Sequence, residues 1–345
     1  RQTDRQTDRQ TDRQTDRQTE QYYVADWIKF LAATCVVAIH TGLGNGINNP
    51  CIISLIYYFE SLAVPFFFCF SGFAFRMDLE SKKANIFVLQ RKKFLHLYHE
   101  LSLIYLPLAF YGWICDLLSG RSIFKVLFDA VRKYILVGEQ FYSWPLWYLL
   151  AMIFGLTVLK HLKGRVTGKK VWLWALLFFL IAFAINKLSG FKFILWTIGN
   201  GRAFTAPAYL LLGILVYDRQ EDFKKYRKFG VVIVVGIIAA SVISGVEYST
   251  TSIPAFVSIP WILSFAVAFK GSSSLAMVAR KASTLFYYAH MCFFFIWGYA
   301  LAGITQFKKI REDGVGAFWF TLICCTIFSA IVLLAKERKK RITTT

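Results

Sequence analysis

Ten predominantly apolar stretches, each close to the length of a bilayer crossing, follow one another between residues 23 and 335. They lie at 23–43, 52–76, 93–118, 144–162, 171–189, 203–217, 229–246, 252–269, 283–303 and 316–335. A helix crossing roughly 30 Å of hydrocarbon needs about 20 apolar residues. No water is available there to satisfy backbone groups, so each crossing must keep its hydrogen bonds internal. The pattern predicts an all-α integral membrane protein of about ten transmembrane helices. Composition agrees: 57% of residues are hydrophobic and 17% charged, against roughly 25% charged in a soluble domain.

The charges between the stretches set a direction. Arg76, Lys82, Lys83, Arg91, Lys92 and Lys93 follow the second stretch, and Lys160, Lys163, Arg165, Lys169 and Lys170 the fourth. Similar clusters follow the sixth, eighth and tenth. Lys and Arg concentrate in cytoplasmic loops, so both termini are expected in the cytoplasm. The net charge of +20 is thus divided among short loops, with no basic domain for nucleic acid. The seven cysteines lie mostly in apolar stretches and form no Cys-x-x-Cys, which argues against a disulfide frame or zinc site. His96, His99 and Glu100 make the one His-carboxylate cluster; it opens a basic helix, and no metal is expected.

Residues 1–20 differ in kind, reading Arg-Gln-Thr-Asp four times and then Arg-Gln-Thr-Glu. Such polar low complexity predicts disorder. The four-base unit AGAC, read in triplets, encodes Arg-Gln-Thr-Asp. The tail reads either as a translated tetranucleotide tract, whose slippage would give phase variation, or as an ordinary polar extension. The expected division is a tail at 1–20, a transmembrane domain at 21–337 and a basic cytoplasmic tail at 338–345.

Ionisable residues in hydrocarbon are costly and become site candidates. The first stretch carries Asp26 and Lys29, three apart on one face, and His40, about 21 Å further along the helix. Histidine is suited to moving a proton near neutral pH. The second holds Glu60, then Pro65 and Ser71-Gly72, which suit either a packing kink or a broken helix lining a cavity. Arg91, Lys92 and Lys93 suit anchoring or a phosphate site. Trp147 and Tyr148, Asn200 and Arg202, and His290 complete the set.

In order, these pieces resemble the acyltransferase 3 family of bacterial membrane proteins. The Asp26-Trp27-Ile28-Lys29-Phe30-Leu31 run with Val36 to His40 is similar to that family's first helix. The Val64–Phe73 run, Leu146–Leu149 and Ser283–His290 are similar to later landmarks, so the resemblance covers about residues 22–335. Ser61 and Gln90 stand where the family often has Arg. The Ser283-Thr284 variant and Asn200-Gly201-Arg202 also resemble the membrane half of membrane-bound serine racemases. The resemblance implies O-acyl transfer, commonly acetyl, in the bacterial inner membrane. The donor would be cytoplasmic acyl-CoA and the acceptor a hydroxyl of an envelope glycan such as lipopolysaccharide, or of a lipid-linked sugar. It implies His40 as catalytic base with Asp26, a donor site at Lys29, Arg91, Lys92 and Lys93, and a cavity from Glu60, Ser71, Trp147, Tyr148, Asn200, Arg202 and His290. The alternative is a transporter or flippase without acyl chemistry.

Overall fold

The computed structural model describes residues 22–80, 85–140, 143–162, 170–188, 190–192, 202–301 and 314–342. The repeat tail, Asn200 and the loops around 81–84, 163–169 and 302–313 lie outside the described residues. Among the described residues there are no strands, only an isolated bridge between Tyr22 and Gly271. The helices are α1 (Tyr23–Thr41), α2 (Pro50–Glu80), α3 (Ile86–Ile104), α4 (Leu106–Leu118), α5 (Ile123–Arg132), α6 (Leu146–Leu162) and α7 (Lys170–Leu188). Then follow α8 (Thr205–Asp218), α9 (Gln220–Lys225), α10 (Arg227–Ser244), α11 (Ile253–Ala266), α12 (Ser274–Phe295) and α13 (Gly314–Ile342).

Each of the ten predicted stretches overlaps a helix, yet they are not ten equal crossings. Five helices are long and apolar enough to span: α1, α2, α7, α10 and α13. A sixth span forms if α3 and α4, bent by 56° at their junction, count as one. The bend follows from Pro107, which has no N–H to bond back one turn and whose ring crowds the preceding carbonyl. α6 has 17 residues, α8 14 and α11 14, and the first turns of α12 carry Arg280 and Lys281. Apolar run length does not register where a helix breaks. Pro65, by contrast, lies inside an unbroken α2, so the second stretch is not a broken helix. α13 continues through Ile342, into the expected tail.

α2 and α8 form the centre. Every residue of α8 from Thr205 to Ile214 is buried. The two helices touch backbone to backbone through reciprocal glycines. A Cβ on Gly72 would lie 2.0 Å from the Leu210 carbonyl oxygen, and one on Gly213 1.9 Å from that of Cys69. Without a hydrophobic drive between helices in lipid, such contact through small residues is the main means of association. α1 packs against α2 and α12, α13 closes over α1 and α12, and α3 pairs with α6. Only 11% of the apolar window of α10 is buried, and Val232, Val235 and Ile243 point outward. Such faces suit lipid, and the chain is a membrane protein.

Two features shape the end where α1 stops. Gly42 takes φ 73°, and its N–H bonds the Ala38 carbonyl, closing α1 two residues past His40. α5 is too short to cross, at 10 residues. Phe124, Leu127, Phe128 and Val131 make an exposed stripe at helical spacing, while Val126 and Ala130 are buried. This is the pattern of a helix lying in the membrane interface.

Candidate active site

Two cavities meet at His40. An apolar inner one, about 200 Å³, is lined by α1, α2, α3, α6 and α12, including Phe94, Leu97, Tyr148, Tyr287 and His290. A polar outer one, about 410 Å³, is lined by Asn45, Tyr57, Glu60, Arg202, Glu247 and Tyr248, among others. Val36, His40, Val64 and Trp147 belong to both walls. The inner volume is roughly seven times the ~30 Å³ share of one water, enough for a short acyl group. His40 thus stands at a boundary, with an apolar chamber on one side and hydrogen-bonding groups on the other.

The aromatic surroundings fix the imidazole. Its ring stacks on Trp144 at 5.9 Å with a 27° interplanar angle, and lies 5.2 Å from the ring of His290. His290 is 1% exposed. Its Nδ1 is 2.7 Å from the Phe286 carbonyl oxygen. A carbonyl only accepts, so Nδ1 carries the hydrogen. Nε2 is then the bare nitrogen, buried and without a hydrogen-bond partner among the described residues.

The other walls are held by specific bonds. The Tyr287 hydroxyl donates to the Pro145 carbonyl at 2.6 Å, tying α12 to the start of α6. The Tyr105 hydroxyl donates to the Tyr288 carbonyl at 3.0 Å, tying the α3–α4 bend to α12. Tyr148 stacks on Phe68 at 4.8 Å and shares a hydrogen bond with Ser71. Arg202 donates to Glu139 at 2.6 Å, and its guanidinium lies 5.5 Å from the Trp147 ring centroid.

Of the residues nominated from sequence, His40, Glu60, Trp147, Tyr148, Arg202 and His290 line one cavity or both. Ser71 stands behind Tyr148. Asp26 and Lys29 line neither cavity. They pair at 3.2 Å, Asp26 buried and Lys29 partly so, with the Lys29 ammonium 3.5 Å from the Phe70 ring centroid. Arg91, Lys92 and Lys93 are exposed in the first turns of α3. Phe94 and Leu97 of that same helix reach the inner cavity within a turn. Ser61 is buried and accepts from the Ser249 N–H at 3.1 Å; Gln90 donates to Asp78 at 3.4 Å.

Sequence reasoning missed Trp144, Tyr57, Glu139, Glu247 and Tyr248. Trp144 reads as an ordinary interfacial aromatic, and Glu139 as one acid among loop charges. One signal was present: acids are scarce at the edges of these stretches, and Glu139 and Glu247 are two of them.

The family model described as an acyltransferase domain matches residues 22–337. An amino-acid racemase of Enterococcus faecalis is 26% identical over 223 residues, 60% of this chain and 29% of that protein. A serine/alanine racemase of Enterococcus gallinarum is 28% identical over 238 residues, 63% of this chain and 32% of that protein. The chain thus spans about a third of the length of the curated relatives it matches. No solved structure gives a significant match.

Proposed function

The chain belongs to the acyltransferase 3 family, and from that membership we propose that it moves an acyl group, commonly acetyl, from cytoplasmic acyl-CoA to a hydroxyl of a bacterial envelope glycan. The observation that carries the reading is the place of His40, between an apolar chamber and a polar one. In this reading both termini are cytoplasmic, the protein sits in the inner membrane, and the outer cavity faces away from the cytoplasm.

The donor phosphates are held by Arg91, Lys92 and Lys93, whose cations suit them. The thioester lies in the inner cavity beyond Phe94 and Leu97. The acceptor sugar lies in the outer cavity, where Glu60 and Arg202 offer an acceptor and donors for its hydroxyls. His40 takes the proton of the attacking hydroxyl. As the new C–O bond forms, the C–S bond breaks, and the departing thiolate takes the proton from the imidazolium. Asp26 and Lys29, remote from this exchange, hold α1 in position against α2.

The test uses purified protein in bilayers with labelled acetyl-CoA and envelope glycan. CoA release should depend on glycan and fall by about two to four orders of magnitude in His40→Ala, the usual worth of a positioned base. Full transfer by His40→Ala would remove the assigned base. A second reading, carriage of a small amino acid or glycan, draws on the name of the serine/alanine racemase relative and on the meeting of two cavities. Movement of serine across the bilayer without a covalent product would select it.

A further inference from the structure

Acyl transfer of the kind proposed above gathers negative charge on the thioester carbonyl oxygen, inside an apolar chamber. As the acceptor oxygen bonds the carbonyl carbon, the second electron pair of the C=O moves onto its oxygen. The pair returns as the C–S bond breaks, and the CoA thiolate takes the proton that His40 holds. Such an oxygen is stabilised by N–H or O–H donors aimed at it in advance. The hydrogen bonds around the inner cavity show which donors are already spent.

The start of α6 has its backbone donors committed. The N–H groups of Leu146, Trp147 and Tyr148 donate to the carbonyls of Ser143, Trp144 and Pro145, at 3.1, 3.2 and 3.2 Å. On α12 the Ser283 and Thr284 hydroxyls both donate to the Arg280 carbonyl, at 2.7 and 3.4 Å. Tyr287 gives its hydrogen to Pro145, and His290 gives its Nδ1 hydrogen to Phe286. A carbonyl only accepts, so each of these hydrogens is taken. With the base His40 set aside, the lining donors that remain among the described residues are Trp147, Tyr148 and Tyr288.

We infer that the Tyr148 hydroxyl is the donor that holds the thioester oxygen, a catalytic role that rests on the acyl-transfer reading. Tyr148 and His40 line the same chamber of about 200 Å³, so one thioester spans both. The Tyr148 ring is fixed on three sides, stacked on Phe68 at 4.8 Å and edge-on to Phe67 and Tyr287 at 6.3 and 5.9 Å. Ser71 meets its hydroxyl in a hydrogen bond. A hydroxyl has one hydrogen and two lone pairs. With Ser71 donating, the phenol keeps its own hydrogen for the chamber, and bonds in such a chain strengthen one another. Ser71 is then a positioning residue. The rivals are placed otherwise. Tyr288 has the half-exposed Glu100 of α3 as its charged neighbour. The Trp147 indole belongs to both cavities and has the Arg202 guanidinium against its ring.

The test uses the full chain in lipid nanodiscs and two readouts. The first is steady-state transfer from acetyl-CoA to envelope glycan. Tyr148→Phe should lower kcat by about two to three orders of magnitude. KM for acetyl-CoA should move by less than about fivefold, since the ground-state bond replaces one to water. Ser71→Ala should give a smaller loss of kcat in the same direction. A larger loss in Tyr288→Phe or Trp147→Phe than in Tyr148→Phe would assign the donor elsewhere and overturn the proposal. The second readout needs no turnover. Infrared difference spectra are taken of bound acetyl-CoA, isotope-labelled at its carbonyl carbon, without acceptor. The carbonyl band should lie at lower frequency in wild type than in Tyr148→Phe, because a hydrogen bond weakens the C=O; the same band in both would also overturn it. A band shift in a wild-type protein that transfers to no glycan upholds the Tyr148 contact and removes the acyltransferase reading. Transfer undiminished in Tyr148→Phe removes the donor and leaves that reading standing.

Discussion

His290 has one ring nitrogen committed and one open. Nδ1 is bound to the Phe286 carbonyl, and Nε2 is buried with no hydrogen-bond partner among the described residues. The ring centroid lies 5.2 Å from that of His40, and both residues line the inner cavity. We expect His290→Phe, which keeps a ring and loses the open nitrogen, to lower kcat by about tenfold or more with little change in acceptor KM. A steady-state comparison with wild type checks this, and a loss confined to KM would instead assign His290 to acceptor binding. The residue scale also shows what could be read early. The rule that intramembrane ionisable groups are site candidates raised His40, His290 and Glu60, which line the cavities. It also raised Asp26 and Lys29, which line neither cavity and whose cost a neighbour offsets. Their mutual ion pair at 3.2 Å does so. Trp144 and Glu139 gain meaning only from partners on other helices, which no local pattern reveals.

At the scale of the helix, α2 and α8 depend on having no side chain at two points. A methyl on Gly72 would stand 2.0 Å from a backbone oxygen that cannot move independently of α8. Overpacking of this kind costs roughly 1–3 kcal/mol or more. Gly72→Ala should therefore lower the melting temperature of the purified protein by several degrees, with Gly155→Ala, set against the flexible Leu210 side chain, a milder control. Equal melting of the two variants would contradict the interlock. Helix existence was legible because long apolar runs are unambiguous. The tie at Ser71-Gly72 was legible in kind, since small residues mark close approach. The break at residue 105 was not read, although Pro107 announces it, because the apolar run continues through it. α5 was not read at all: ten amphipathic residues carry no spanning signal.

For the molecule as a whole, the outstanding expectation is direction. In the proposed orientation both termini are cytoplasmic, and Cys51, exposed at the start of α2, lies on the far side. A variant retaining Cys51 as its one cysteine should react with a membrane-impermeant maleimide in intact spheroplasts. Labelling only after permeabilisation would invert the topology, and with it the assignment of donor and acceptor sides.

The meeting of two chambers at a single imidazole has an electrical consequence. In the proposed direction an acyl group travels outward, and the proton it displaces returns inward on the CoA sulfur. Each turnover exchanges one for the other, and no net charge crosses. Membrane voltage, worth about 2.3 kcal/mol per charge per 100 mV, would then neither drive the reaction nor oppose it. Collapsing the voltage with valinomycin and potassium should leave the rate of transfer by reconstituted protein unchanged.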